Sequence, residues 1–561
     1  MLALGLGLGA AARYWLDPWL RRQLETQVTR QTQGQYRLQV AGLETSLWQR
    51  AVRLRGLRLR PAAQVADTLP RLRLDVARLH VTGVGLLALL RRGTVPLDSV
   101  VLDSVRLHLL TRPRRPGRNA RRPLHDQLPL GLKGLEIGYL GLLHAQARYG
   151  PDTHPTATVE QAHVAAHDLQ LSAAGAADTE RLAYAAGWQL DLRQTWAEAS
   201  GHAVAARELR FSTQKGRLVL NSLGITPLLN GQRTASQPSI NLELPRLTLT
   251  GLNTAALRHQ RLFQADSLLV RAPQLTFTPA RQPAGGNWQQ ALRPYLHRLE
   301  LAHLGLHDGQ LRVAGTAAAP VLRGLQLTGT RLRLDSTGRS GPRQVLFAEA
   351  WQAALGPSEA HAAGHQLRLR AMQLSTRAGT LSLGAVRIVP PNSPRPGAVR
   401  VDLTLPRLAF AGWRAAALAQ GQLRVATVRV QAPRLVFTPP AQPPPPIWQL
   451  VAAYVRRTDV EKLQLRDGSV QIVRPAHSPV LRQLNVTGTA IRIDSAAAAK
   501  KCQRPSHPGD ADDPLSPPTS RRNASWTRAV ACSVWSGRPG PAPSCRILRA
   551  ARARSRLSMP S

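Results

Sequence analysis

A nine-residue phrase occurs twice in this chain of 561 residues, as RAPQLTFTP at 271–279 and as QAPRLVFTP at 431–439. Both copies belong to longer similar segments, 74–110, 242–278 and 403–438, which align with at most one residue of difference in length. The same landmarks follow each segment in the same order, so the repeated unit is roughly 160 residues long. Self-similarity at a fixed period is the signature of repeat architectures, in which successive units extend one core.

Three landmarks follow the repeated segment. We interpret the first as a strand–turn–strand, because Asp308–Gly309 and Asp467–Gly468 are typical hairpin-turn dipeptides. The first landmark occupies 135–149, 299–313 and 460–473; the second, 325–336 and 484–495; and the third, 211–227 and 374–390.

Apolar and polar residues alternate through most of each unit, in short runs parted by Gly, Pro, Asn and Asp. Sequential hairpins of this kind predict an antiparallel meander, interrupted in each unit by one helix after a Pro-rich break. Strands are expected at 244–250, 273–278, 405–411 and 433–438, and helices at 287–299 and 447–457.

The meander has one Leu/Val face, and a single sheet must cover such a face. The sequence contains neither a second set of strands in antiphase nor enough helix to do so. The expected fold is therefore all-β: an elongated, curled antiparallel sheet that forms a repeating β-groove. Short interspersed helices and an N-terminal membrane-anchor helix complete it.

Apolar pairs recur at matching places in the three copies. Leu275 and Phe277 are two residues apart and share one face of a strand, and Leu247 and Leu249 form such a pair on the strand before. We expect these pairs to converge on one concave surface that binds acyl chains. The lipid-groove candidates are Leu107, Leu109, Leu247, Leu249, Leu275, Phe277, Leu408, Phe410, Leu435 and Phe437.

The pattern divides the chain into six parts. They are an N-terminal membrane anchor at 1–22, an N-terminal β segment at 23–68, a first repeat at 69–232, a second repeat at 233–396, an incomplete third repeat at 397–496 and a tail at 497–561.

The first residues have the character of a membrane anchor. Residues 1–12 are uncharged and apolar, and Tyr14, Trp15 and Trp19 stand where an interfacial aromatic belt would lie. The run is shorter than the about 20 residues of a helical span, so we expect a signal anchor that begins upstream of Met1. An amphipathic interfacial helix is the alternative, and the Arg21–Arg22 pair on the outer side opposes the positive-inside rule.

The net charge of +42 raises the alternative of a nucleic-acid partner. The arginines, however, alternate with apolar residues, as in RLRLDVARLHV at 71–81, instead of forming one patch. Alternation puts them on the solvent face of strands, where a dispersed positive charge suits anionic lipid headgroups. We therefore expect no nucleic-acid partner.

After Ser495 the alternation stops, and all three cysteines of the chain follow. We interpret residues 497–561 as a disordered tail, and out-of-frame translation is one explanation of its composition. A native disordered basic tail is the other.

Two histidine pairs at spacing i, i+4 were considered as metal ligands: His163 with His167 and His361 with His365. Both pairs lead into strand patterns, where residues at that spacing are more than about 10 Å apart, so no metal site is expected. GLGLGA at 5–10 lacks the lysine of a phosphate-binding loop. No catalytic, cofactor-binding or metal-binding residue is predicted.

Together these features resemble the AsmA/TamB-like superfamily of inner-membrane-anchored, periplasmic β-groove proteins of Gram-negative bacteria. The resemblance covers about residues 1–495. The N-terminal anchor, YRLQVAGLETSLWQRAVRLRGLRLRP at 36–61, LDSVVLDSVRLHL at 97–109 and the helix leading into LQLRDGSVQIV at 463–473 carry it. It implies an inner-membrane protein with its bulk in the periplasm, with phospholipid and outer-membrane assembly components as partners. It brings no catalytic residues and no cofactor.

The favoured function is that of a non-enzymatic envelope protein that binds or conducts phospholipid acyl chains along a hydrophobic β-groove. It would serve outer-membrane lipid transport or biogenesis. A structural or regulatory assembly factor without a lipid conduit is the first alternative, and a basic nucleic-acid-binding protein is the second.

Overall fold

The computed structural model describes residues 15, 17–46, 48–62, 70–85, 93–111, 123–128, 132–199, 201–228, 238–279, 297–316, 318–335, 347–362, 364–391, 400–414, 417, 421–439, 457–474 and 478–493. The chain divides into two units, Met1–Lys500 and Lys501–Ser561, and all described residues belong to the first. The predicted tail at 497–561 lies outside the described residues.

All strands of the described residues belong to one sheet of 24 strands. Before the first repeat come β1 (Tyr36–Ser46) and β2 (Ala51–Pro61). The first repeat contains β3 (Arg71–Thr82), β4 (Thr94–Thr111), β5 (Gly134–Tyr149), β6 (Ala157–Ser172), β7 (Ala185–Ala199), β8 (His202–Ser212) and β9 (Arg217–Pro227).

The second repeat contains β10 (Ser239–Thr250), β11 (Leu262–Arg271), β12 (Gln274–Thr278), β13 (Arg298–Val313), β14 (Val321–Asp335), β15 (Ala350–Leu355), β16 (Ser358–Ala362), β17 (His365–Leu369), β18 (Ala371–Ser375) and β19 (Thr380–Val389). The third contains β20 (Arg400–Ala411), β21 (Gln422–Gln431), β22 (Arg434–Thr438), β23 (Arg457–Ile472) and β24 (Val480–Ile493). Helices are α1 (Asp17–Gln31), α2 (Ala173–Ala177) and α3 (Thr254–Gln260), with a 3₁₀ turn at Leu124–Gln127.

Strand pairing recurs from repeat to repeat. β10 pairs along its length with both β11 and β12, and β20 pairs in the same way with β21 and β22. In the first repeat a single continuous strand, β4, pairs with β3 at the place where the other repeats have two short consecutive strands. Strands are present at all four expected places. Those expected at 273–278 and 433–438 agree to within one residue, whereas those expected at 244–250 and 405–411 end as expected but begin five residues earlier. The division into units stays a prediction.

The expectation of a wholly antiparallel meander is wrong at one step in each repeat. β4 runs parallel to β5, β11 and β12 run parallel to β13, and β21 and β22 run parallel to β23. Parallel neighbours need a crossover of a dozen or more residues, and the Pro-rich breaks with their expected helices occupy these connections. Those helices fall mostly outside the described residues; Arg298, Leu299 and Arg457, however, already belong to strands.

The interpretation of Asp308–Gly309 and Asp467–Gly468 as hairpin turns is also wrong. Both dipeptides lie inside the continuous strands β13 and β23, at register shifts against β14 and β24. The two aspartates have φ angles of 55° and 54°, the left-handed conformation that Asp tolerates. Such a bulge inserts an extra residue without reversing the chain. The Asp-Gly dipeptide, which is typical of a turn, therefore produces a bend within a continuous strand here.

A line of left-handed residues crosses the sheet from strand to strand, and we call it the long fold line. Where the register can be followed, successive members lie opposite each other. Some are on neighbouring strands, as Ala272 and Asp308 are, and others lie across one intervening strand, as Ser222 and Ala272 do across Pro245. Members with φ between 45° and 61° are Gly56, Ser104, His144, Gln194, Ser222, Ala272, Asp308, Ala385, Ala432 and Asp467.

The long fold line shifts the inside–outside alternation of each strand by one residue. On β13, Leu304 and Leu306 precede the line and Leu311 and Val313 follow it, so Leu306 and Leu311 are an odd number of positions, five, apart. In a regular strand they would face opposite sides. The bulge at the line restores the apolar residues to one face.

A short fold line crosses each repeat in addition. It starts at Gly83, Gly251 or Gly412, whose φ angles are 71°, 67° and 69°. A Cβ on Gly83 or Gly251 would come within 2.0 Å of the carboxylate of Asp98 or Asp266 on the facing strand. These glycines are therefore required both by backbone conformation and by close approach.

The edge of the sheet at β1 is covered by α1. Glu25 Oε1 accepts a hydrogen bond from Val40 N at 2.9 Å, and Asp17 Oδ1 accepts from Thr45 N at 3.1 Å and Thr45 Oγ1 at 2.6 Å. Side chains of the helix thus satisfy N–H groups of an edge strand that would otherwise be open to another chain.

This helix corrects the N-terminal boundaries. Residues 23–31 were expected in a β segment but belong to α1, and residues 17–22 of the expected anchor form its first turns. Residues 1–14 lie outside the described residues. Within the described part of the chain, none of the helices combines the length and apolar character needed to cross a bilayer.

The short fold line gives a stability prediction. Gly251→Ala places a Cβ at a φ of +67° and against Asp266, so we expect the free energy of unfolding to fall by about 1–3 kcal/mol. Gly224→Ala on β9 is the matched control, because nothing lies within 4 Å of its Cβ position and its effect should stay within about 0.5 kcal/mol. Urea unfolding followed by circular dichroism measures both, and equal losses would contradict the fold line.

Candidate functional site

The apolar residues form one face that continues across both kinds of fold line. Leu102 and Val105 lie on either side of Ser104, and both belong to one cluster of packed side chains. Across a short line, Leu301 packs in the same cluster as Leu304. Side chains three residues apart touch only where the strand bends towards them, so the apolar face is the inner face of each bend.

The ten groove candidates differ in burial. Leu249 is only 3% exposed and packs in a cluster with Leu218, Leu268 and Leu301, whereas Leu107 is 38% exposed. The structure leaves the other eight half-buried: Leu109, Leu247, Leu275, Phe277, Leu408, Phe410, Leu435 and Phe437. Leu249 is therefore a packing residue. Leu408 and Phe410 also pack against a buried cluster, that of Trp413, Val425 and Val428, but like the other seven they keep part of their surface exposed.

Leu275 and Phe277 lie in two apolar rows that run across neighbouring strands. In one row Leu275 lies between Leu242 and Leu311, and in the other Phe277 lies between Ile240 and Val313. The third repeat has the same two rows, Leu403–Leu435–Val470 and Val401–Phe437–Ile472. In the first repeat they correspond to Leu74–Leu107–Ala147 and Leu72–Leu109–Tyr149.

Leu247 and Leu249 lie on a strand that neighbours that of Leu275 and Phe277, as expected, but the two pairs do not face each other. Leu247 and Leu249 face Val270 and Leu268 on β11, beyond the long fold line. The true neighbours of Leu275 and Phe277 are Leu242 and Ile240, which sequence reasoning missed. Pro245 between the two pairs was the available signal, because proline inside a strand often marks a break in the ladder.

The opposite face of the sheet carries the arginines, as their alternation predicted. Arg53, Arg55 and Arg58 of β2 are exposed, while Leu54 between them is buried. On β4, Asp103 lies 2.9 Å from His144 Nδ1 and 2.9 Å from Arg78 Nη2. The hydrogen bond to His144 and the charge of Arg78 lower the pKa of Asp103, so its carboxylate stays ionised well below neutral pH.

The histidine pairs have other partners than a metal. His163 and His167 lie on β6, as expected, beside the rings of His144 and Tyr139. His361 and His365 lie on two strands of a hairpin and not along one strand, which corrects the distance argument. His365 is buried, and its Nε2 accepts a hydrogen bond from Val401 N at 3.0 Å. Within the described ranges no group of three potential ligands converges.

No model of a known protein family matches the chain, and no curated protein is significantly similar to it. The resemblance to the AsmA/TamB-like superfamily stays a prediction from the sequence.

Burial separates packing residues from ligand-facing ones in a way that can be measured. Leu249→Ala removes a side chain from a packed cluster, and we expect it to cost about 2–4 kcal/mol of unfolding free energy. Leu107→Ala removes a side chain that is 38% exposed and should cost less than about 1.5 kcal/mol. Chemical denaturation of the two variants compares them directly; a reversed order would contradict the assignment of Leu249 to packing.

Proposed function

We propose that this protein binds phospholipid acyl chains along its apolar face and, without catalysing a reaction, holds or conducts them in the cell envelope. The observation that carries the proposal is the continuity of that face. Two apolar rows recur in all three repeats, and most of their side chains are only half-buried.

The energetics favour a long apolar ligand over a compact one. Each acyl CH₂ that leaves water contributes about 0.8 kcal/mol, so about ten buried carbons hold a chain firmly. A ligand of that length spans several strands, which lie about 4.8 Å apart. The repeated rows supply apolar contact at every strand along such a path.

Outer-membrane lipid transport or biogenesis is the process to which we assign this binding. The AsmA/TamB-like resemblance motivates that assignment, with inner-membrane attachment by one N-terminal anchor and the bulk of the chain in the periplasm. A structural or regulatory assembly factor would have the same sheet with a dry, side-chain-filled inner face. A nucleic-acid-binding protein would instead use the arginine face.

Exposed tryptophans support membrane attachment at the end of the sheet where α1 begins. Trp15, Trp19 and Trp48 are 84%, 58% and 98% exposed. The hydrogen bonds that Asp17 accepts from Thr45 bring the start of α1 next to the β1–β2 turn that carries Trp48. Tryptophan favours the boundary between headgroups and acyl chains, so this end is suited to face a bilayer.

The lipid proposal is tested by charge placed on the apolar rows. Leu275→Asp or Leu242→Asp puts a carboxylate where acyl chains would lie, and we expect at least tenfold less co-purifying lipid. Asn241→Asp, on the exposed side of the same strand, is the control and should retain lipid. Mass spectrometry of bound lipid is read beside thermal unfolding.

The outcomes separate the three functions. Loss of lipid in a variant that remains folded supports the groove. The structural role is favoured if the purified protein carries no lipid. It is also favoured if Leu275→Asp unfolds the protein, so that lipid is lost only together with the fold. Salt-sensitive DNA retention at physiological ionic strength favours nucleic-acid binding.

Membrane attachment has a test of its own. In protein that starts at Asp17, Trp48→Ser should weaken co-sedimentation with anionic vesicles several-fold, because the indole ring loses its place at the interface. Leu124→Ser removes a comparably exposed apolar side chain, 59% accessible, from the 3₁₀ turn and should leave vesicle binding unchanged. Equal effects of the two substitutions would contradict attachment through Trp48.

A further inference from the structure

The arginine-bearing face of the first repeat contains a hollow of about 690 Å³, on the side of the sheet away from the apolar rows. Three neighbouring rows of residues form its floor. The central row is His163–Asp191–Arg210–Val219. On one side of it lies the row Ala165–Gln189–Ser212–Arg217, and on the other side lies the row Glu208–Asn221–Arg246. Lys215, in the turn between β8 and β9, also lines the hollow.

Part of the charge in the hollow is internally neutralised. Arg210 pairs with Glu208 and lies 3.8 Å from Asp191, and Arg193 lies 3.4 Å from Asp191 and 4.0 Å from Glu208. Two arginines thus share two carboxylates. This network holds the side chains in the middle of the floor. Both of its carboxylates are already paired, so neither remains to neutralise another cation.

Three cations remain around the hollow: Lys215, Arg217 and Arg246. None of them forms an ion pair with an acidic group in the part of the chain that the structure describes, and all three are exposed. Arg217 stands four residues along β9 from Asn221, which faces Arg246. The two arginines therefore originate about 13 Å apart along the strands.

The second repeat provides a comparison at the same place in the fold. Its hollow of about 320 Å³ has the corresponding rows Gln326–Ala354–Gln373–Ser382 and Thr328–Gln352–Ser375–Thr380. These residues are uncharged, and Thr380 and Ala378 stand where the first repeat has Arg217 and Lys215. Arg407 faces Gly384 as Arg246 faces Asn221, so that cation is common to both places. The charges of Lys215 and Arg217, in contrast, have no counterpart at the same register positions, so the backbone geometry that the two repeats share does not require them.

We propose that the hollow of the first repeat is a binding site for an anionic ligand that carries phosphate groups. Guanidinium groups match phosphate oxygens in bidentate pairs, and unpaired cations that originate about 13 Å apart suit a ligand with more than one phosphate. The lining combines these cations and polar groups with apolar side chains such as Leu143 and Val219. The charged part of the lining suits a headgroup or a soluble phosphate compound. The site lies on the other face of the sheet and does not depend on lipid binding in the groove.

The test replaces the cations with the residues that the second repeat carries. Lys215→Ala with Arg217→Thr is compatible with the fold, because those residues occupy the same register positions in the second repeat. Calorimetry with tripolyphosphate should show one site in the wild-type protein and at least tenfold weaker binding in the double variant. Arg377→Ala with Arg387→Thr removes the same charge from exposed positions of the second repeat and should change binding less than twofold.

Two further arms identify the source of the phosphate. Binding to vesicles that contain phosphatidylglycerol, but not to vesicles of phosphatidylcholine alone, would indicate a lipid headgroup as the ligand. Binding of tripolyphosphate would indicate a soluble compound. Either kind of binding supports the site if it is lost in the Lys215/Arg217 variant and kept in the control variant. Equal losses in both double variants, or no binding by the wild type, would overturn it. If a single-stranded oligonucleotide binds more tightly than tripolyphosphate and this binding is lost in the Lys215/Arg217 variant, the proposal of a small-ligand site is overturned in favour of nucleic acid.

Discussion

The architecture depends on one constraint: a single-layered sheet has to keep all its Leu and Val residues on one face while its strands bend. Bending a long strand inserts residues that break the two-residue alternation. Each left-handed residue costs roughly 1–2 kcal/mol when it is not glycine, as at Ala272, Ala385 and Ala432. The bend is retained because the shift in alternation returns the following apolar residues to the inner face, where each contributes burial of similar magnitude.

The repeats show which parts of this solution are geometric and which are chemical. The long fold line holds the same backbone angle at Ser104, Ala272 and Ala432, so its conformation is imposed by pairing with neighbouring strands more than by residue type. The short fold lines need glycine, because the facing side chain approaches too closely for a Cβ. The inner face is apolar in every repeat, whereas the hollow on the outer face is lined by charged residues in the first repeat and by uncharged residues in the second. The residue types on the outer face can therefore differ between repeats without disturbing the sheet.

Sequence reasoning recovered the strands but not their connections. Alternation locates β12 and β22 to within one residue, and the ends but not the starts of β10 and β20, because period two is visible locally. The parallel steps, such as that between β4 and β5, escaped because strand direction is set by a long connection whose composition does not reveal where it returns. The neighbours of Leu275 escaped for a related reason: Pro245 marks a break in the ladder but not the change of partner strand that occurs there, and Ala272 gives no signal in its side chain. The hollow escaped entirely, since its cations are separated along the chain and meet only across strands.

The amino-acid sequence by itself determined that the chain is a repeat, that its strands have one apolar and one arginine-rich face, and that Gly83, Gly251 and Gly412 hold equivalent places. These properties follow from local periodicity, which each segment carries alone. Only the tertiary structure decided which apolar residues share a row, that α1 covers the edge of β1, and that Lys215, Arg217 and Arg246 surround one hollow. Such relations are fixed by strand register, and register is a property of pairs of strands that no single segment encodes.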